Sequence, residues 1–88
     1  MLRIAICDDD ITIVEQVRQY LEDIAKNTKR QIEVVEFYSG VRLVEVASKK
    51  GRFDIIYLDI EMDIMNGINT ALKIREKDIN VLLIYFTF

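Results

Sequence analysis

The stretch from Phe53 to Gly67, FDIIYLDIEMDIMNG, constrains the fold more than any other part of the chain. It opens on a continuous apolar run, Ile55-Ile56-Tyr57-Leu58, and breaks into carboxylates at Asp59, Glu61 and Asp63. Unbroken apolarity over that length predicts a strand buried on both faces of a parallel sheet. In open α/β sheets ligands bind beyond the carboxyl ends of the strands, so Asp59 falls on the rim of that crevice. A second strand-then-acid junction stands at the N-terminus, where Leu2 to Cys7 is followed by Asp8, Asp9 and Asp10. Two such junctions in one sheet gather several carboxylates in one crevice. Their mutual repulsion makes a cation the natural partner.

The remaining chain alternates helix and strand patterns around these junctions. Asp10 is the expected N-cap of a first helix whose apolar face is Ile11, Val14, Val17, Leu21 and Ile24. Polar residues from Asn27 to Arg30 end that period. Gln31 to Tyr38 is β-branched and aromatic enough for a strand, and Glu33 and Glu36 within it predict an edge. Ser39-Gly40 opens a short helix from Val41 to Ser48, with Val41, Val44 and Ala47 or Ser48 on one side. Lys49-Lys50-Gly51 ends it with the basic residues and glycine that a helix C-terminus favours. A third helix is expected from Ile68 to Lys77, with Ile68, Ala71, Leu72 and Arg75 at helical spacing, and Asn80 to Phe86 forms a fourth apolar strand. The order βαβαβαβ with short connections predicts a mainly parallel sheet with right-handed crossovers.

Composition narrows the function. A chain of 88 residues holds one small domain, and a net charge of −3 argues against a nucleic-acid-binding surface. Six of the 15 acidic residues sit in the two junctions, so the negative charge is local. The single cysteine, Cys7, excludes an internal disulfide and fits a reducing compartment. Val81 to Phe86 is too short to span a bilayer, and no signal-peptide pattern is present, so a cytoplasmic protein is expected. Asp59-x-Glu61-x-Asp63 mimics the start of a calcium loop, but such a loop needs glycine at its sixth position and glutamate at its twelfth. Ile64 and Thr70 stand there instead, which excludes it.

ICDDD at 6–10, YLDIEMDIMNG at 57–67 and LIYFT at 83–87 resemble a response-regulator receiver domain of two-component systems. The first two segments are most similar in wording to receivers that precede LytTR-type DNA-binding domains. The resemblance covers the whole chain and implies a flavodoxin-like, doubly wound parallel sheet. It implies that Asp59 accepts a phosphoryl group from a histidine kinase, as a signalling acceptor and not an enzyme. It further implies that Asp8 and Asp9 bind Mg2+ with Asp59 and the backbone carbonyl of Glu61, and that Thr87 contacts the phosphoryl group. Beside it, Asp10 is read as a helix cap only, and Cys7 as a small buried residue next to the site.

The sequence departs from the family pattern at Asp63, where proline is usual, at Ile64, and at Phe88, where a small residue usually follows the switch threonine. By the same resemblance, residues 1–88 are expected to be the N-terminal part of a receiver, without its fourth helix, fifth strand and lysine, and fifth helix. The fourth strand would then be an open apolar edge, and a homodimer or higher assembly is expected. Two further readings stand beside the acceptor reading. One is a receiver-like interaction module that is not phosphorylated. The other is a magnesium-dependent phosphatase with an aspartate nucleophile, for which the Asp59-x-Glu61 spacing is a poor match.

Overall fold

Seven elements alternate along the chain: β1 (Leu2–Cys7), α1 (Ile11–Asn27), β2 (Ile32–Phe37), α2 (Gly40–Ala47), β3 (Ile55–Asp59), α3 (Gly67–Lys77) and β4 (Leu82–Phe86). They come from a computed structural model that describes residues 1–62 and 65–86. All strand pairs are parallel and the sheet order is β2-β1-β3-β4. The expected α/β fold is the one observed. The acid-bearing strands β1 and β3 are neighbours at the centre, in register from Ile4 opposite Ile55 to Cys7 opposite Leu58. That register ends both strands at the same level, so the residues after Cys7 and Leu58 emerge side by side.

The helices take their places because successive strand residues face opposite sides of the sheet. Ala5, Cys7, Ile56 and Leu58 pack with Leu43 and Ala47 of α2, Ala71 and Ile74 of α3, and Phe37 and Phe53 into one core. Ile4 and Ile6 are equally buried but point the other way, toward the side where α1 lies along β1 and β2. Arg18 of α1 fastens that side, pairing with Glu36 at 2.7 Å and donating to the Val34 carbonyl at 3.3 Å. Helices thus cover both faces, as in a doubly wound sheet.

Side-chain caps set where the helices begin. Asp10 accepts the Thr12 N–H at 2.9 Å, Ser39 accepts that of Arg42 at 3.2 Å, and Asn66 accepts that of Asn69 at 2.9 Å. Each satisfies one backbone donor that a first helical turn leaves without a partner. Residue Asp78 closes the opposite end of the sheet, accepting N–H groups from Gly51 at 2.9 Å and Asn80 at 3.0 Å.

The helix faces differ from the spacing-based expectation. In α1 the buried line runs through Val14 and Ala25, with Val17 and Leu21 partly buried, while Ile11 and Ile24 are exposed. In α2 Ala47 is buried as expected, but Leu43 joins it in the core and Val41 faces out. In α3 Thr70, Ala71 and Ile74 are buried, whereas Ile68 and Leu72 are exposed. The physical reason is the same in each helix. Caps and crossovers fix the rotation of the helix, and the residue that this rotation turns inward is buried whatever its size, as with Ala25, Leu43 and Thr70. β2 is an edge strand, as its glutamates implied. β4 begins at Leu82, two residues later than expected, and Leu82 and Tyr85 are exposed. Among the described residues no helix is long and apolar enough to cross a membrane.

Candidate functional site

β1 and β3 end side by side, and their aspartates meet there. Asp8, Asp9 and Asp59 each offer a carboxylate oxygen, and these oxygens lie within 4.8 Å of one another. Asp8 and Asp59 are buried, and Asp9 is exposed at the rim. The chain is held by short local bonds. Asp8 Oδ1 accepts the Asp10 N–H at 2.9 Å, and Asp59 Oδ1 accepts the Glu61 N–H at 3.2 Å. Each aspartate is thereby aimed by its own following turn. Asp10 turns away from the cluster to cap α1, and the positive end of that helix's dipole lies next to the acids.

Burial is the main force on Asp8 and pushes its carboxyl up from 3.8 to about 6. The Asp10 N–H opposes that shift, while the Asp59 charge and hydrogen bonding with Asp9 and Asp59 add to it. A carboxyl that resists ionisation among like charges is one that a hard cation would hold in the ionised form. Three convergent carboxylates fit magnesium or a similar oxygen-seeking divalent ion. They do not fit a soft-metal site, because Cys7 lies in the core beneath them. Its thiol is pushed up to about 12, first by burial and then by Asp8, Asp59 and Asp9. It is a packing group whose Sγ donates to the Met62 Sδ at 3.7 Å.

Of the residues singled out from sequence, Asp8, Asp9 and Asp59 come together. The Glu61 side chain is exposed and stands outside the cluster. Its backbone N–H reaches Asp59, and an open depression beside the cluster is lined by Glu61 with Asp9, Ile60, Met62, Asn66 and Ile68. Thr87 lies outside the described residues, as do Asp63, Ile64 and Phe88.

Gly67, the last residue of the acidic stretch and the first of α3, has a larger part in the structure than its place in the sequence implies. It donates its N–H to the Ile60 carbonyl at 2.8 Å, and a Cβ there would overlap the Asp59 carbonyl oxygen. The sequence signal was the pair Asn66-Gly67 opening a helix directly after an acidic strand end, where a close backbone approach calls for glycine.

Comparison with known proteins agrees with this geometry. The family model described as the response regulator receiver domain matches residues 4–88. No curated protein shows a significant sequence match to the chain. Among solved structures, the chain is similar to the BeF3-activated DrrB receiver domain, at 23% identity and TM-score 0.79 over 99% of this chain and 66% of that one. It is similar to the REC domain of AraT, a response regulator from Geobacillus stearothermophilus, at 27% identity and TM-score 0.79 over 98% of this chain and 64% of that one. A chain of the CheX-CheY-BeF3-Mg2+ complex from Borrelia burgdorferi matches at 27% identity and TM-score 0.76 over 98% of this chain and 61% of its own length. The chain therefore spans less than two thirds of the length of these structures.

Proposed function

The chain belongs to the response regulator receiver domain family, and on that premise we propose that it takes a phosphoryl group from a histidine kinase onto Asp59 with the help of Mg2+. The observation that carries this reading is the convergence of Asp8, Asp9 and Asp59 within 4.8 Å at the ends of adjacent central strands. Asp8, Asp9 and Asp59, with the Glu61 backbone carbonyl, would hold the ion. When bound it would neutralise the acids and the incoming phosphoryl oxygens.

The chain's own residues supply position. β3 presents Asp59 at the mouth of the crevice, and the Glu61 N–H fixes the orientation of its carboxylate. One carboxylate oxygen forms a bond to phosphorus as the phosphorus–nitrogen bond of a phosphohistidine breaks, and the imidazole leaves with that electron pair. Thr87 would answer the new charge through its hydroxyl and bias a two-state surface.

The wording of ICDDD and YLDIEMDIMNG supports a LytTR-type regulator, so transcriptional output and a cytoplasmic location belong to the same reading. Self-association is a second reading. Among the described residues β4 pairs only with β3, and it exposes Leu82 and Tyr85. Sedimentation at low micromolar concentration checks it, and a cooperative monomer removes it.

The cation is the first part to test. Magnesium should raise the melting temperature of the chain by mass action on the folded state. Asp9→Asn should abolish that rise, and an equal rise in both proteins would remove Asp9 from the site.

A further inference from the structure

The first turn of α3 packs closely at two points of its one buried face, which Gly67, Thr70, Ala71 and Ile74 share. At one of them stands Gly40, the buried first residue of α2. A Cβ at Gly40 would overlap the Thr70 hydroxyl and lie 3.1 Å from the Met65 carbonyl oxygen. Thr70 has no room to yield, being fully buried with its Oγ1 donating to the Asn66 carbonyl at 2.9 Å. At the other stands Gly67, where a Cβ would overlap the Asp59 carbonyl oxygen and lie 2.7 Å from the Ile60 Cα. Among the described glycines only Gly51, with φ 77°, has a positive φ. Space, not backbone torsion, is therefore what Gly40 and Gly67 provide.

We infer that Gly40 is a positioning residue for the aspartate cluster, acting through the Thr70 side of α3's first turn to hold the Asp59–Glu61 backbone in place. Close-packed interiors pass a displacement on instead of absorbing it. A methyl group at Gly40 pushes against Thr70, and a displaced turn takes with it Gly67, which shares that buried face and donates its N–H to the Ile60 carbonyl. The strain falls on the short segment that carries one carboxylate of the cluster and the Glu61 N–H that orients it. The atoms nearest a Cβ at Gly40 belong to Thr70 and Met65, so its effect on the aspartates runs through this contact chain.

The choice of Mg2+ as probe rests on the function proposed above, so the test has a second readout that needs no ion. Gly40→Ala, Thr70→Ala and the double variant are compared by Mg2+ calorimetry and by amide chemical shifts of Ile60 and Glu61 in EDTA. Gly40→Ala should bind Mg2+ about fivefold or more weakly than wild type, because overpacking strain is shared with the site. The double variant, with the Thr70 hydroxyl removed, should bind within about twofold of Thr70→Ala, since the two changes couple through direct contact. The Ile60 and Glu61 amides should move in Gly40→Ala and return in the double variant.

A Gly40→Ala protein that melts lower but keeps wild-type affinity and wild-type amide shifts overturns the inference, as does a double variant that recovers neither. If Gly40→Ala alone does not fold, the double variant must fold with the Ile60 and Glu61 amides of Thr70→Ala, and failure to do so also overturns it. Absence of Mg2+ binding in wild type counts against the proposed function, and the amide shifts still decide the role of Gly40.

Discussion

Replacing Asp8 by asparagine should stabilise the ion-free protein and at the same time destroy its response to magnesium. The buried Asp8 carboxyl titrates at about 6 in place of 3.8. Each unit is worth about 1.36 kcal/mol, so ionising this group costs the folded state at most about 3 kcal/mol at neutral pH. Solvent and salt at the open side of the crevice screen part of that, leaving about 1–2 kcal/mol. Asparagine keeps an Oδ1 acceptor for the Asp10 N–H, which lies at 2.9 Å, and removes the charge. For a domain of this size the gain corresponds to a melting temperature about 5–10 °C higher.

The sign follows from the direction of the shift. With the folded-state value above the unfolded one, the native state holds the proton more tightly. The contribution of Asp8 to stability is therefore full below its ordinary value and is lost as pH rises through about 6. Asp8→Asn should show its advantage at pH 7 to 8 and lose it near about pH 4. Thermal melts followed by circular dichroism in EDTA, and again in saturating Mg2+, read both halves. Wild type should overtake the variant in magnesium, because only wild type gains binding energy there. An Asp8→Asn protein that melts at or below wild type at pH 7 in EDTA would refute the reasoning.

Two further outcomes test the packing. Leu43→Ala should cost about 2–5 kcal/mol in urea unfolding, whereas Leu72→Ala should stay within about 0.5 kcal/mol, since Leu43 is fully buried and Leu72 is 61% exposed. Equal costs would mean that the helix faces are assigned wrongly. The N–H groups of Gly51 and Asn80 hold the Asp78 carboxyl below its usual range, so its contribution is present above that range and is lost as pH falls through the lowered value. Asp78→Asn should flatten the acid limb of the stability curve, and parallel acid limbs would remove Asp78 from that role.

The strands and their order were legible because a parallel sheet buried on both faces leaves unbroken apolar runs, as at Ile55 to Leu58. The cluster was legible for a related reason. Strands ending at one level place the residues after Cys7 and Leu58 together, and those residues are aspartates. Helix rotation was less legible. Spacing alone placed Ile24, Val41 and Leu72 inward, but the contacts chose Ala25, Leu43 and Thr70. Thr70 is the hardest case, since a buried hydroxyl bonded to the carbonyl four residues back leaves no periodic trace in the sequence. Gly40 reads only as the opening of a helix, because nothing local shows that a distant side chain occupies the space of its missing Cβ.

The acceptor assignment is tested most directly by incubating the chain with a small-molecule acyl phosphate and Mg2+ and mapping the label by peptide mass analysis. A single phosphoryl group on Asp59, absent without Mg2+ and absent from Asp59→Asn, is the predicted result. Label on another residue with Asp59 unmodified would contradict it.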